Sequence, residues 1–260
     1  MMNFPQKILL QILEARYLWL LLDYDGTLAD FAQTPDDVNP DPELIRLLKS
    51  LAEHPKITLG IISGRRLSHI EKLVPISGIW LAGSYGLDIR TPEGEQIQQA
   101  DYDQIRPKIE KLKPAWAKLI AGKEGFYLED KGWSIALHAR FAEDDITDTI
   151  LSQARLVAKK IALGNKLMLL GGHKFLEIAP TRADKGKTIS FLLKKASKDQ
   201  MLPIFIGDDD KDERAFPVVR DHGGFAGCVC DSMRTTSANF YLSSPQETRN
   251  WLSELLELIR

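Results

Sequence analysis

Apolar side chains fill every position of "YLWLLL" (residues 17–22), and the acids of "DYDG" end the run. A short unbroken apolar stretch with an abrupt polar exit reads as a strand buried on both faces. The next organised segment has a different period. Residues 35–42 read as loop, and Asp41 and Pro42 then supply an N-cap and a first helical position for "ELIRLLKSLAEH", whose leucines recur at helical spacing. "KITLGII" predicts a second buried strand closed by "SGR", and "RLSHIEKLV" a short helix. "GIWLAGSYG" predicts a third strand, running into "LDIRTPEGEQI", where Pro-Glu-Gly marks a hairpin turn. Strands and helices in alternation are the signature of a doubly wound, mostly parallel α/β sheet of Rossmann-like type.

Beyond residue 100 the alternation stops. Residues 101–121 predict one long amphipathic helix, with Pro107 near its start and a kink or break at Pro114. "GFYLED" and "WSIALHAR" alternate at period two around "DKG", as an antiparallel hairpin does; "DDITDTILSQARLVAKKIA" is a second helix, and "KLMLLGGHKFLEI" a second hairpin about Gly171–Gly172. This is an α+β pattern, and it predicts an inserted cap domain at 104–178 within a core domain of residues 1–103 and 179–260. The core pattern resumes with "KGKTISFLLKKA" (helix) and "PIFIG" (strand), and ends in "SPQETRNWLSELLELI", a helix with a capping box from Ser244 to Glu247.

Composition changes this picture little. With 260 residues, 44% hydrophobic and 27% charged, the chain has the make-up of an ordinary globular protein with a sizeable core. The net charge of −2 gives no reason to expect a nucleic-acid partner. Glu14 and Arg16 interrupt the apolar patches of "MMNFPQKILLQILEARYLWLLL", so the segment reads as neither a signal peptide nor a membrane span. Cys228 and Cys230 in "GCVC" have neither zinc nor thioredoxin-like spacing and read as small buried groups, which makes a reducing cytoplasm the expected compartment. His54, His69, His138, His173 and His222 show no ligand spacing and read as surface or packing residues, and Trp19, Trp80 and Trp133 as core.

The candidate chemistry lies at the strand ends. "DYDGT", "SGR" and "GDDDKDE" each follow a buried strand, and ligands of open parallel sheets bind where the strands finish. Asp23, Asp25 and Asp30 crowd one exit, and like charges in that position repel unless something cationic compensates. Asp23 and Asp208 each take the first polar position after an apolar strand or its terminal glycine. Adjacent strands lie about 4.8 Å apart, so these two carboxylates can share one ion. Oxygen donors without histidine or thiolate favour Mg²⁺, which keeps its waters and takes phosphate as a ligand.

"DYDGT", "SGR", "KGK" and "GDDDKDE" resemble the four ordered motifs of haloacid-dehalogenase-like phosphohydrolases. More closely, "LLLDYDGTL", "IISGR", "LAGSYGLDIR", "LEDKGWSIALHAR", "FLEIAPTRADKGKTI" and "FIGDDDKDERAF" resemble trehalose-6-phosphate phosphatases, over residues 17–218. The resemblance implies an Mg²⁺-dependent enzyme acting on a small sugar phosphate, with a trehalose-6-phosphate synthase as the candidate partner. It implies that Asp23 attacks phosphorus and forms an aspartyl-phosphate, while Asp25 gives and takes the proton and offers its backbone carbonyl to the metal. Thr27 is expected to steady the loop and meet the substrate; Ser63 and Gly64, at a helix start, to hold a phosphoryl oxygen; Arg65 to contact the substrate.

Lys185 is expected to neutralise nucleophile and phosphate, with Lys187 its rival; Asp208 to complete the metal shell; Asp212 to orient it or Lys185; Asp209 to ligate or to support a ligand. Glu129, Lys131, Arg140 and Glu177 are the implied sugar contacts, a solvated cross-strand pair being the other reading of Glu129 and Lys131. Related activities on glucosylglycerol phosphate or mannosyl-3-phosphoglycerate fit the same motifs. A non-catalytic sensor or regulatory subunit does not need Asp25. Two positions depart from the family pattern. Tyr85 stands where histidine is common, and Lys211, where threonine is usual, puts an extra positive charge beside the metal loop.

Overall fold

The computed structural model describes residues 6–31, 39–161, 166–172, 174–195, 200–231 and 234–260. The chain forms two compact units, one of Met1–Ile97 with Asp184–Arg260, the other of Gln98–Ala183. Up to residue 98 the elements are α1 (Gln6–Glu14), β1 (Tyr17–Leu22), α2 (Pro42–Glu53), β2 (Ile57–Ile62), α3 (Leu67–Leu73), β3 (Trp80–Gly83), β4 (Asp88–Arg90) and β5 (Gln96–Gln98). The second unit contributes α4 (Tyr102–Ile120), β6 (Tyr127–Asp130), β7 (Ile135–His138), α5 (Asp144–Ile161), β8 (Leu167–Gly172) and β9 (Phe175–Pro180). The chain closes with α6 (Lys185–Lys195), β10 (Met201–Gly207), α7 (Phe216–Asp221), β11 (Phe225–Val229), β12 (Phe240–Leu242) and α8 (Pro245–Leu258).

The large sheet has the order β12-β11-β10-β1-β2-β3-β4-β5. Strands β12 to β3 pair in parallel, and β4 turns back antiparallel to β3. Strand β1 is central, and its side chains alternate between two cores. Leu18, Leu20 and Leu22 join the core that includes Leu44 and Leu48 of α2 and Trp251, Leu252 and Leu255 of α8. Trp19 and Leu21 join the one that includes Ile189 and Leu192 of α6 and Phe216 of α7. An unbroken apolar run is what a strand covered by helices on both faces requires. In register, Leu22 lies opposite Ile206 of β10 and Ile61 lies beside it on β2, so the polar residues after all three strands emerge at one edge of the sheet.

The helix ends follow their chemistry. Asp41 Oδ1 accepts from the Glu43 and Leu44 N–H groups at 2.9 and 3.3 Å and starts α2. Ser244 Oγ accepts from the Glu247 N–H at 3.2 Å, while Glu247 reaches back to the N–H of Ser243, one residue ahead of the cap. Residues 35–38 of the expected loop and His173 lie outside the described residues.

In the second unit β6-β7-β9-β8 form an antiparallel sheet. Helix α4 passes through both Pro107 and Pro114 as one element; of the kink or break expected at Pro114, the break does not occur. Both prolines are exposed, so the carbonyls they deprive of a partner face water, while Ile105, Ile109, Leu112 and Trp116 hold the opposite face buried. The Trp116 indole N–H donates to the Ala154 carbonyl of α5 at 3.0 Å. Among the described residues no helix is long and apolar enough to cross a membrane.

Candidate active site

The tight turn after β1 sets the site. The Asp23 N–H donates to the Ile206 carbonyl at 2.9 Å and carries the sheet ladder one residue past the strand. Gly26 then takes φ +80°, a left-handed conformation open to glycine at little cost. A β-carbon there would lie 2.3 Å from Asp208 Oδ2, so the glycine also clears room for that carboxylate.

Asp23 is buried, and its Oδ1 accepts from Lys185 Nζ at 2.6 Å. The same ammonium donates to Asp212 Oδ1 at 2.7 Å. Thr27, fully buried, sets its hydroxyl 3.3 Å from both Asp23 Oδ2 and Asp208 Oδ1. The hydroxyl therefore orients the two acids. Asp212 Oδ2 accepts from the Asp208 and Asp209 N–H groups, both at 3.1 Å. Asp209 Oδ1 accepts from the Lys211 and Asp212 N–H groups at 2.8 and 3.1 Å, which closes the turn.

The electrostatics follow from burial and excess acid. Burial pushes Asp23 well above the usual carboxylate range, against the pull of Lys185, and the charges of Asp208 and Asp209 add to the rise. Burial likewise pushes Asp208 up to about 7, with Asp212 and Asp209 contributing. Burial disfavours the Lys185 charge, but Asp212 and Asp23 outweigh it and hold the ammonium well above its ordinary value. Lys185 answers only part of the negative charge gathered here.

Asp23, Asp208 and Asp212 each offer an oxygen within 4.8 Å of the others. Both Asp212 oxygens accept hydrogen bonds, from Lys185 and from two backbone N–H groups, and both Asp23 oxygens do so from Lys185 and Thr27; each carboxylate oxygen keeps a second lone pair that a cation could use. An all-carboxylate set whose members resist ionisation together fits a hard divalent cation, which turns their repulsion into attraction.

Asp25 does not join that cluster. Its carboxylate accepts both arms of Arg65, Nη2 to Oδ1 at 2.6 Å and Nε to Oδ2 at 2.7 Å, with His69 near Arg65 Nη1 at 3.3 Å. Arg65, expected on the substrate, thus holds the Asp25 side chain. Ser63 is fully buried, with its Oγ accepting from the Arg65 N–H at 3.1 Å. Helix α3 starts only at Leu67, so Gly64 lies in the turn ahead of it and its N–H is a loop donor, not a helix terminus. Lys185 is buried while Lys187 is exposed, and it is Lys185 that meets the acids.

The second unit carries its own charged cluster. Lys131 Nζ lies 3.4 Å from Glu177 Oε2 and 3.7 Å from Glu129 Oε2. Glu177 is fully buried and also accepts from the Ser134 hydroxyl. Side-chain exposure is 10% for Lys131 and 24% for Glu129, so these two form a largely buried pair and not a solvated one. His138 Nε2 sits 3.0 Å from Glu129 Oε2, and its ring stacks on Tyr127 at 4.5 Å. Arg140 is exposed just beyond β7. Asp130, next to Glu129, is held well below the usual carboxylate range, chiefly by hydrogen bonds from Arg106; it ties α4 to β6.

The trehalose-phosphatase family model matches residues 21–246 of this chain. The chain belongs to the trehalose-phosphatase family. It is 30% identical to the trehalose 6-phosphate phosphatase RA3 of Zea mays, over 95% of this chain and 72% of that one. It is 29% identical to trehalose-phosphate phosphatase B of Arabidopsis thaliana, over 94% of this chain and 67% of the other. The C-terminal domain of the C. albicans trehalose-6-phosphate phosphatase superposes with a TM-score of 0.85 at 22% identity, covering 97% of this chain and 96% of that one, a likeness of fold. The protein is accordingly a phosphatase with the haloacid-dehalogenase-like fold.

Sequence reasoning missed the partners of two residues in this phosphatase. Arg65 and Asp25 stand forty positions apart, and only the parallel pairing of β1 with β2 brings their loops together. His138 read as packing, and its i+9 distance from Glu129 carries no local signal until the β6–β7 hairpin folds. Gly26→Ala tests the turn. Left-handed strain of about 1–2 kcal/mol, plus the clash with Asp208, is expected to lower stability and to cut phosphatase activity at least tenfold. Denaturant unfolding and phosphate release check both; parental values in the two assays contradict the role given to the turn.

Proposed function

We propose that the protein hydrolyses trehalose 6-phosphate to trehalose and inorganic phosphate through an aspartyl-phosphate on Asp23, with Mg²⁺ held by Asp23, Asp208 and the Asp25 carbonyl. The observation that carries this reading is the Asp23 carboxylate, buried against Lys185 at 2.6 Å and coupled through Thr27 to Asp208, in a chain of this family. A carboxylate nucleophile divides one difficult displacement into two easier ones.

In the first half an Asp23 oxygen bonds to phosphorus, the bond from phosphorus to the sugar oxygen breaks, and Asp25 protonates that oxygen. In the second half water attacks phosphorus, Asp25 takes its proton, and Asp23 is released with inorganic phosphate. Both Asp25 oxygens accept from Arg65, so proton donation requires one of those hydrogen bonds to open. Lys185 holds the nucleophile in place and opposes the negative charge of the phosphoryl oxygens. Ser63 Oγ, already accepting from the Arg65 N–H, has its own proton to donate to a phosphoryl oxygen, beside the Gly64 N–H. Mg²⁺ supplies charge neutralisation and orientation of the phosphate.

In the same reading the second unit is the cap. Glu129, Lys131 and Arg140 hold disaccharide hydroxyls, and Glu177, buried, fixes Lys131 from below. A panel of sugar phosphates assayed for phosphate release, with and without EDTA, is the test. A kcat/KM for trehalose 6-phosphate at least tenfold above glucosylglycerol phosphate and mannosyl-3-phosphoglycerate is expected. Equal rates across the panel overturn the substrate assignment, and tight binding without turnover at any metal concentration overturns the enzyme mechanism in favour of a sensor.

A further inference from the structure

Two residues that stand apart from the family's motif pattern meet in space. Lys211 Nζ donates to Tyr85 Oη at 2.7 Å and lies 4.7 Å from the centre of its ring. Tyr85 follows β3 and Lys211 follows β10, strands that flank the β1–β2 pair, so the contact links loops from opposite sides of the Asp23 exit.

The backbone is bent to bring this about. Ser84 and Tyr85 have φ of +50° and +59°, two consecutive non-glycine residues in the left-handed region. Such geometry persists where the surroundings hold it, and it concentrates at functional sites. Here the Ser84 N–H donates to the Arg65 carbonyl at 2.6 Å, the Tyr85 N–H to the Ser63 carbonyl at 2.9 Å, and the Thr188 hydroxyl to the Tyr85 carbonyl at 2.8 Å. The result lays the phenol over Gly64, where a β-carbon would come within 2.9 Å of Tyr85 Oη. At the other end the Lys211 N–H is bonded to Asp209, next to Asp208. The ammonium is therefore one hydrogen bond from a phenol that rests on the Ser63–Gly64 turn, while its own backbone lies in the loop that carries Asp208.

Charge gives this position a use. Four carboxylates, from Asp23, Asp208, Asp209 and Asp212, surround Lys185, and an incoming phosphoryl dianion adds to the excess. A second ammonium held beside the Ser63–Gly64 turn favours that anion.

We propose that Lys211, positioned by Tyr85, is a second cationic contact for the substrate's phosphoryl oxygens, so that the pair sets how tightly this phosphatase holds phosphate. The proposal rests on the reading of the Asp23 pocket as the phosphoryl site. It names Lys211 as a phosphate-binding group and Tyr85 as its positioning residue.

Calorimetric titration with inorganic phosphate, in Mg²⁺ buffer and independent of turnover, is the test. Lys211→Met is expected to weaken phosphate binding about tenfold, in line with loss of one charged hydrogen bond, and to raise KM more than it lowers kcat. Lys211→Arg is expected to recover most of the affinity. Tyr85→Phe keeps the ring under the ammonium, removes the acceptor and is expected to give a smaller loss. The double variant Tyr85→Phe/Lys211→Met should then bind no worse than Lys211→Met alone. Phosphate affinity of Lys211→Met within twofold of the parent, or additive effects of the two changes, overturns the proposal. A parent that binds no phosphate overturns the phosphoryl-site reading as well, which separates the two failures.

Discussion

Asp23→Asn is expected to lower kcat for trehalose 6-phosphate by at least about a thousandfold, as loss of a nucleophile does, while the folded protein survives and gains thermal stability in the absence of divalent cations. The first effect follows from chemistry: an amide oxygen is too weak a nucleophile to take the phosphoryl group. The second follows from the site's charge. Burial holds the Asp23 carboxyl far above its ordinary pKa, with Asp208 and Asp209 nearby. Asparagine has the shape of the carboxyl without the charge, and Lys185 keeps Asp212 at 2.7 Å as its partner. Active-site charge excess of this kind is commonly a stability cost of function. Phosphate-release kinetics and a thermal melt of the same preparation provide the check; normal turnover ends the nucleophile assignment, and a lowered melting temperature ends the account of the site as over-acidic.

Removal of divalent cations is expected to abolish turnover and to leave a protein whose stability falls as pH rises from about 4 to about 7. The sign comes from Asp208, which burial and its acidic neighbours push from 3.8 to about 7, and from Asp23, shifted the same way. Between the unfolded and folded pKa values the native state binds more protons than the unfolded chain, so raising the pH favours unfolding. Added Mg²⁺ is expected to bind the ionised form and so to compete with those protons. Its stabilisation should therefore be larger at pH 7.5 than at pH 5. Melts with EDTA and with Mg²⁺ across that range decide it; a Mg²⁺ effect that is flat or that shrinks with pH contradicts the site.

The parts legible from sequence are those whose signal is local or strongly periodic. The apolar run of β1, the leucine spacing of α2 and the cap at Asp41 all say what they form before anything folds around them. Strand β10 was legible for the same reason, and with β1 it placed Asp23 and Asp208 side by side. Segment 225–229 was not, because Ala226 and Gly227 leave "FAGCV" with little strand propensity, and its place as the buried strand β11 comes from the packing around it. At Pro114, where a kink or a break was expected, the helix does not break, because a break presumes that the lost carbonyl partner matters. On the wet face of α4 water replaces it. The side-chain pairs of the site were the least legible. Asp25 with Arg65 and Tyr85 with Lys211 join loops from different strands, and no spacing along the chain encodes which partner a long cationic side chain reaches.

Strand β1 lies between β10 and β2, and β10 enters the chain at Met201, well after the whole Gln98–Ala183 unit. During synthesis the ribosome thus exposes "YLWLLL" with one unpaired hydrogen-bonding edge until most of the polypeptide has emerged. The nascent protein has neither Lys185 nor Asp208 until late, so it stays catalytically silent while this apolar edge awaits a neighbour. Late acquisition of activity follows from the same strand order.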